Sequence, residues 1–114
     1  MILIILLTMV INITSPKQFN SLIKKHNAVL VDFTASWCGP CQLIKPFVHK
    51  LHGSYDGLQV LIVDVDNDKL EEVHSDISSM PTFYLYVNGN HVQTVNGASK
   101  DGLTAMLDRH LRGH

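Results

Sequence analysis

The sequence of 114 residues has only two cysteines, no marked excess of charge of either sign, and no apolar run as long as a membrane-spanning helix. Two cysteines are too few for a small secreted fold held together by disulfides, which usually has four or more. The formal net charge of -1 predicts no strong field that would attract nucleic acid or an anionic membrane. With 46% hydrophobic residues, the chain can bury a core of its own as one compact domain.

The N-terminal segment is apolar apart from Thr8 and Asn12, and no basic residue precedes Lys17. It is too short to span a bilayer, which takes about 20 residues. A signal peptide would begin with a basic residue and end at a small-residue cleavage site, and neither is present. We therefore predict that residues 1–8 are an apolar extension and that residues 9–114 form the domain.

Hydrophobic periodicity and capping residues predict strands that alternate with helices. Ser15, Pro16 and Gln18 mark a helix start, with Ser15 as the N-cap and Gln18 completing a capping box. Strand–helix alternation predicts parallel pairing, and a hairpin turn at Asn88 and Gly89 adds antiparallel strands. The expected fold is α/β, a central mixed sheet with helices on both faces. Strands are expected at 10–13, 28–33, 58–65, 83–87 and 91–95, and helices at about 16–26, 38–51, 67–74 and 99–111. The helix positions expected to face the core are Phe19, Leu22, Ile23, Leu43, Ile44, Phe47, Val48, Leu51, Leu70, Val73, Leu103, Met106, Leu107 and Leu111.

The two cysteines, Cys38 and Cys41, stand three residues apart at the start of the second predicted helix, which contains Pro46 and should kink there. This spacing brings the α-carbons close enough for a disulfide. The amide hydrogens and the positive dipole end of the helix favour a thiolate at Cys38, which should be exposed, whereas Cys41 should be covered. Pro40 has no amide hydrogen to lose there and stiffens the ring between the sulfurs. A disulfide over so short a loop stabilises a fold little, so the pattern favours a working dithiol.

A zinc site is the alternative use of two cysteines at this spacing, but it requires two further ligands. The seven histidines are scattered, and none lies near the cysteines in sequence. We interpret the pairs His49/His52 and His110/His114 as parts of solvated helix faces. No metal site is predicted.

Asp32 interrupts the apolar strand that ends just before the cysteines. Burial of a lone carboxylate is costly and raises its pKa, which would let it exchange protons near neutral pH. Cys41 must lose a proton when it attacks, so a buried base nearby would have a function. The alternative is that Asp32 faces a turn or pairs with Lys45, and the pattern alone leaves both possibilities open.

A longer stretch of sequence, residues 31–41, resembles the active-site segment of the thioredoxin family. The likeness continues through Pro46, the Met80-Pro81-Thr82-Phe83 segment, the predicted hairpin turn and the Gly97-Ala98 pair, and it covers nearly all of residues 9–111. Two positions depart from the family pattern: Thr34 stands where many members have tryptophan or serine, and Ile62 stands where a lysine or glutamate is common.

The resemblance implies a thioredoxin fold and assigns roles within the site. Cys38 would be the nucleophile, Cys41 the resolving thiol, and Asp32 the buried acid–base group. Pro81 would be a cis-proline that faces the cysteines, and Met80 would offer its backbone to an extended substrate segment. The remaining residues of the implied apolar docking surface are Trp37, Gly39, Pro40, Gly97 and Ala98.

The function implied by the resemblance is reduction of protein disulfides. No cofactor would be bound; the electrons would come from NADPH through a thioredoxin reductase, and the other partners would be disulfide-containing proteins such as peroxiredoxins and reductases, in the cytoplasm. If residues 1–13 direct export, the alternative is a membrane-associated or secretory-pathway oxidoreductase. A third possibility is a binding module in which the thiols are incidental.

Overall fold

The structure is a computed structural model, and it describes residues 10–112. The predicted extension at residues 1–8, together with residue 9 and residues 113–114, lies outside the described part. Within it, the strands are β1 (Val10–Asn12), β2 (Ala28–Thr34), β3 (Leu58–Asp64), β4 (Thr82–Val87) and β5 (Asn90–Asn96). The helices are α1 (Pro16–Lys25), α2 (Gly39–Ser54), α3 (Glu71–His74), which a 3-10 turn at Asp68–Leu70 precedes, and α4 (Lys100–Leu111).

The strands form one mixed sheet in the order β1-β3-β2-β4-β5. β3 pairs in parallel with β1 and β2, whereas β4 pairs antiparallel with β2 and β5. Because β2 is central, its alternate side chains enter two different cores. Ala28 and Leu30 pack with residues of α2 and α4, and Val29, Val31 and Phe33 pack with residues of α1. The predicted sheet covered on both faces is confirmed.

Local capping follows the sequence closely. Ser15 Oγ accepts a hydrogen bond from the Gln18 amide at 3.1 Å, as an N-cap should. In a standard capping box, Gln18 would accept a hydrogen bond from the amide of the N-cap residue Ser15. Here its Oε1 accepts instead from the amide of Thr14, one residue earlier, at 2.7 Å. At the predicted hairpin, Asn88 and Gly89 both have positive φ, 52° and 84°, which a tight two-residue turn requires.

One predicted core position in α2 is wrong. Leu43 is 82% exposed, whereas Ile44, Val48 and Leu51 are buried. These three, at spacings of four and three, define the inward stripe of the helix, and Leu43 is rotated by about 100° from Ile44. α2 also continues to Ser54, three residues beyond the predicted end of the helix at about residue 51. Pro46 lies inside the helix, as expected, and the predicted kink there stays a prediction.

The remaining predicted core positions, including Phe47 of α2, agree with the structure. Phe19, Ile23, Leu70, Leu103, Met106 and Leu107 are buried, and Leu22, Val73, Leu111 and Phe47 are partly buried against the cores. Across residues 10–112, no helix combines the length and the apolar character that crossing a membrane demands.

Candidate active site

The cysteines lie where β2 gives way to α2, beyond the carboxyl end of the central strand. Cys38 is the N-cap of α2, and Cys41 lies in its first turn. The two residues form a disulfide with a Cα–Cα distance of 5.3 Å. The Cys41 amide donates to Cys38 Sγ at 3.2 Å. This contact directs a free amide hydrogen of the helix start at the first sulfur, where it would stabilise a thiolate.

The expected difference in exposure between the two thiols is wrong for Cys38. In the disulfide form Cys38 is only 5% exposed and Cys41 is 2% exposed. Both pack in a small apolar cluster with Ala35, and Val65 and Met80 lie against this cluster. The sequence indicated which sulfur begins the helix, but it did not show that the segments around residues 65 and 80 cover the pair.

The Met80–Pro81 peptide bond is cis, as the resemblance implies. Met80 packs against the cysteine cluster, so this loop faces the thiols. The Gly97 amide donates to the Pro81 carbonyl oxygen at 2.8 Å. Thr82 Oγ1 donates to the Ser79 carbonyl oxygen at 2.8 Å. These bonds bring Met80, Pro81 and Gly97 to the same site as the cysteines.

The expected docking residues are largely at the surface. Trp37 is 67% exposed, and Gly39, Pro40 and Ala98 are also exposed. The indole Nε1 of Trp37 donates to Asp66 Oδ2 at 2.7 Å. Sequence reasoning missed Asp66, because it lies 29 residues beyond Trp37 and only the parallel pairing of β2 with β3 brings the two together. The signal that could have found it is its place just after the carboxyl end of a predicted parallel strand.

Asp32 lies in the centre of the sheet, opposite Ile62 of β3 and Phe83 of β4. It is 3% exposed, and among the described residues its Oδ1 has no hydrogen-bond partner. Burial raises the pKa of this carboxyl from 3.8 to about 7, and the positive charge of Lys45 opposes the rise in part. The alternative considered above, an ion pair between Asp32 and Lys45, is not formed in the described part of the chain. The ion pair found within residues 10–112 joins Arg112 and Asp108.

A cavity of about 270 Å³ opens beside Asp32, between the sheet and α2. Burial lowers the pKa of His49, which lines this cavity, and the charges of Lys45 and His52 lower it further. The prediction that His49 and His52 lie on a solvated face is wrong, since both are half-buried and each has one buried ring nitrogen without a partner among the described residues. The helical spacing of these residues was correct, but it did not show which face of α2 covers the sheet. The cavity lining comprises Asn12, Asp32, Thr34, Ala35, Ser36, Gln42, Lys45, His49, Ile62 and Asp64.

The other predicted histidine pair was also expected on a solvated face. His110 is half-buried, and its Nε2 lies 2.8 Å from Gln93 Oε1, while His114 is outside the described residues. Over residues 10–112, the structure contains no group of three or more His, Cys, Asp or Glu side chains placed to hold a metal ion.

Comparison with known proteins identifies the family. The Thioredoxin family profile matches residues 10–109. Thioredoxin 1 of Plasmodium falciparum is 38% identical over 98 residues, which are 86% of this chain and 94% of that protein. Thioredoxin of Ictalurus punctatus is 39% identical over 106 residues, covering 90% of this chain and 99% of the relative.

Solved structures agree with the sequence comparison. A structure of Plasmodium falciparum thioredoxin superposes with a TM-score of 0.80 at 39% identity, covering 87% of this chain and 97% of that one. The reduced thioredoxin pre-protein of Schistosoma mansoni gives the same TM-score and identity, covering 89% and 97%. The predicted fold and resemblance are thus confirmed. The chain belongs to the thioredoxin family, and it is a thiol–disulfide oxidoreductase of the protein-disulfide reductase class.

Proposed function

We propose that Cys38 attacks substrate disulfides and that Cys41 resolves the mixed disulfide. The observation that carries this assignment is the Cys41 amide hydrogen directed at Cys38 Sγ, 3.2 Å away at the N-terminus of α2. It supports a thiolate at Cys38, and the thiolate is the nucleophile in thiol–disulfide exchange. Cys41 lies one turn further in, so its sulfur is placed to attack Cys38 Sγ rather than a bulky substrate.

The exchange has two steps. The Cys38 thiolate attacks one substrate sulfur, and the other substrate sulfur leaves as a thiolate. Cys41 then loses its proton and attacks Cys38 Sγ, which releases the second substrate thiolate and leaves the Cys38–Cys41 disulfide. Two electrons pass from the dithiol to the substrate, and the substrate thiolates take up protons from solvent.

Asp32 is the proposed acceptor of the Cys41 proton. Its carboxyl is buried on the face of β2 that α2 covers, and a pKa of about 7 makes it able both to accept and to lose a proton at neutral pH. A carboxylate with the ordinary pKa of 3.8 would be a weak base by comparison.

The proposed docking surface is formed by the exposed Trp37, the helix start and the cis-proline loop. Met80 packs against the cysteines and Gly97 donates to Pro81, so an extended substrate segment laid along this loop would pass the reactive sulfur. The surface comprises Trp37, Gly39, Pro40, Met80, Pro81, Gly97 and Ala98.

We propose further that a thioredoxin reductase regenerates the dithiol with electrons from NADPH, in the cytoplasm, and that disulfide-containing proteins such as peroxiredoxins and reductases are the substrates. Residues 9–114 would form the reductase unit, and residues 1–8 a preceding extension. The Gly39-Pro40 pair between the cysteines, typical of reducing family members, supports this direction of electron flow.

Trapping of mixed disulfides tests the two thiol roles. Cys41→Ser should accumulate a mixed disulfide with an oxidised protein substrate, because the resolving sulfur is gone. The matched variant Cys38→Ser should accumulate none. Equal trapping by both variants, measured on non-reducing gels, would contradict the division of labour. A binding module would keep its biological role with both cysteines replaced.

The reduction potential tests the direction of electron flow. Thioredoxin itself has a reduction potential of about -270 mV, whereas a strongly oxidising dithiol protein has one of about -120 mV. Equilibration of this couple with a glutathione buffer should give a value near the first. A value near the second would overturn the reductase role in favour of an oxidase.

A further inference from the structure

The cavity beside Asp32 is lined by two residues from different elements, and each of them carries a buried polar atom. Asp32 Oδ1 comes from β2 and His49 Nε2 from α2, and neither has a hydrogen-bond partner among the described residues. Buried polar atoms in folded proteins are nearly always hydrogen-bonded, either to protein or to ordered water. A cavity of about 270 Å³ lined by both residues is large enough, and polar enough, to hold water molecules that connect them.

We propose that His49 is a positioning residue of the proton path: it exchanges protons between Asp32 and solvent through this cavity. The inference rests on the proposed role of Asp32 as proton acceptor. His49 does not touch the reacting sulfurs, and it acts through Asp32. Because the residue is half-buried, it can reach both the cavity and the solvent.

Other groups around the cavity are less suited to this exchange. Ile62, directly opposite Asp32 on β3, has no proton to exchange. Lys45 carries an ammonium group, which donates protons but has no lone pair to accept one. Asp64 is exposed and its Oδ1 already accepts from the Asp66 amide at 2.9 Å. His49 lines the same cavity, and its imidazole can both accept and release a proton.

Two groups on its own helix, Lys45 and His52, favour the neutral form of His49. The carboxyls of Asp32 and Asp64, which line the cavity from the sheet, favour the imidazolium when they are ionised. Burial and the two cationic neighbours lower the pKa of His49. At neutral pH the imidazole is therefore free to accept a proton.

The proton steps balance without a further reactant. Cys41 gives its proton to the Asp32 carboxylate as its sulfur attacks Cys38. The Asp32 carboxyl then passes this proton through water to His49, which becomes an imidazolium. The imidazolium releases the proton to solvent, and Asp32 is again a carboxylate. The net change is the transfer of one proton from Cys41 to solvent.

The test uses the reduced protein and an aromatic disulfide, 5,5′-dithiobis(2-nitrobenzoate), in a stopped-flow instrument. The first thionitrobenzoate is released by attack of Cys38 and the second by resolution through Cys41, so each trace contains its own control. At about pH 6, where most Asp32 carries a proton that must leave first, His49→Gln should slow the second release about tenfold. The first release should be unchanged. At about pH 9 the variant should approach the parent protein, and added imidazole should restore its rate at the lower pH.

Matched variants make the result specific. His26→Gln, which replaces another half-buried histidine with a pKa lowered by burial but outside the cavity lining, should change neither release. His49→Leu should behave like His49→Gln, which guards against a defect of one substitution, and circular dichroism checks the folding of both. In the Asp32→Asn background, His49→Gln should have no additional effect.

Three results would overturn the inference: an unchanged second release at about pH 6, a slow release that imidazole does not restore, or an equal loss at both pH values. If Asp32→Asn slows the second release and His49→Gln does not, only the role of His49 fails. If Asp32→Asn leaves the second release unchanged, the proposed function of Asp32 fails as well.

Discussion

Asp32→Asn should remove a pH-dependent penalty on folding. The carboxyl is 3% exposed in the central strand, and burial raises its pKa from 3.8 to about 7. Between these two pH values the folded state holds a proton that the unfolded chain has lost. Stability therefore falls as the pH rises through this window, and the penalty remains in full above about pH 7. Asparagine has nearly the same shape and cannot ionise.

The size of the penalty follows from the two pKa values. One pKa unit is worth about 1.36 kcal/mol, so the difference between 3.8 and about 7 sets a limit of about 4 kcal/mol. At about pH 4 the variant and the parent should have similar free energies of unfolding. At about pH 8 the variant should be more stable by about 2–4 kcal/mol, because no charge has to be buried.

Urea unfolding at several pH values between about 4 and 8 measures this difference. Asp64→Asn is the matched control, since Asp64 is an exposed carboxylate on the rim of the same cavity. Its effect should stay within about 0.5 kcal/mol, as for other surface substitutions. The same Asp32→Asn protein should reduce insulin more slowly. A variant that is less stable at every pH and fully active would refute both the burial argument and the proton role.

Two further substitutions test contacts that link distant segments. Asp66→Ala removes the acceptor of the Trp37 indole N–H and should lower kcat/KM for a protein disulfide several-fold. The reaction with a small aromatic disulfide should change little. Equal losses for both substrates would contradict a docking role for Trp37. Tyr55→Phe removes the hydroxyl that donates to Asp108 Oδ1 at 2.6 Å, a bond that links the end of α2 to α4. Thermal unfolding should show that the free energy of unfolding falls by about 1–2 kcal/mol. An unchanged midpoint would mean that this bond does not stabilise the packing of the two helices.

Much of the fold could be predicted because local signals agree with the tertiary structure. The continuous apolar run of β2 indicates burial on both faces, and its alternate residues do enter two different cores. Ser15 and Ser99 mark helix starts by the residue type that an N-cap requires, and both side chains accept the expected amide hydrogen bond. Leu43 was misplaced because Leu43 and Ile44 are adjacent apolar residues, and spacing alone did not decide which of them faces inward.

The parts of the site that the sequence did not predict depend on contacts between segments far apart in the chain. The Trp37–Asp66 hydrogen bond requires the parallel register of β2 and β3. The low exposure of Cys38 requires the loop that contains Met80 to pack against it. His49 lines the cavity because it lies on the face of α2 that packs over Asp32. None of these follows from helix or strand periodicity, which describes one element at a time.

The raised pKa of Asp32 depends on its place in the middle of the sheet. On an edge strand the same carboxyl would be solvated from one side, and its pKa would lie near the ordinary value. In β2 it is flanked by Ile62 and Phe83, both buried, so neither neighbouring strand offers it a charge or a hydrogen bond. The strand that positions Asp32 also ends at Thr34, four residues before Cys38. Burial of the carboxyl destabilises the fold at neutral pH, and the same burial makes the carboxyl a useful base. A substitution that removes the stability penalty should therefore also slow proton transfer from Cys41.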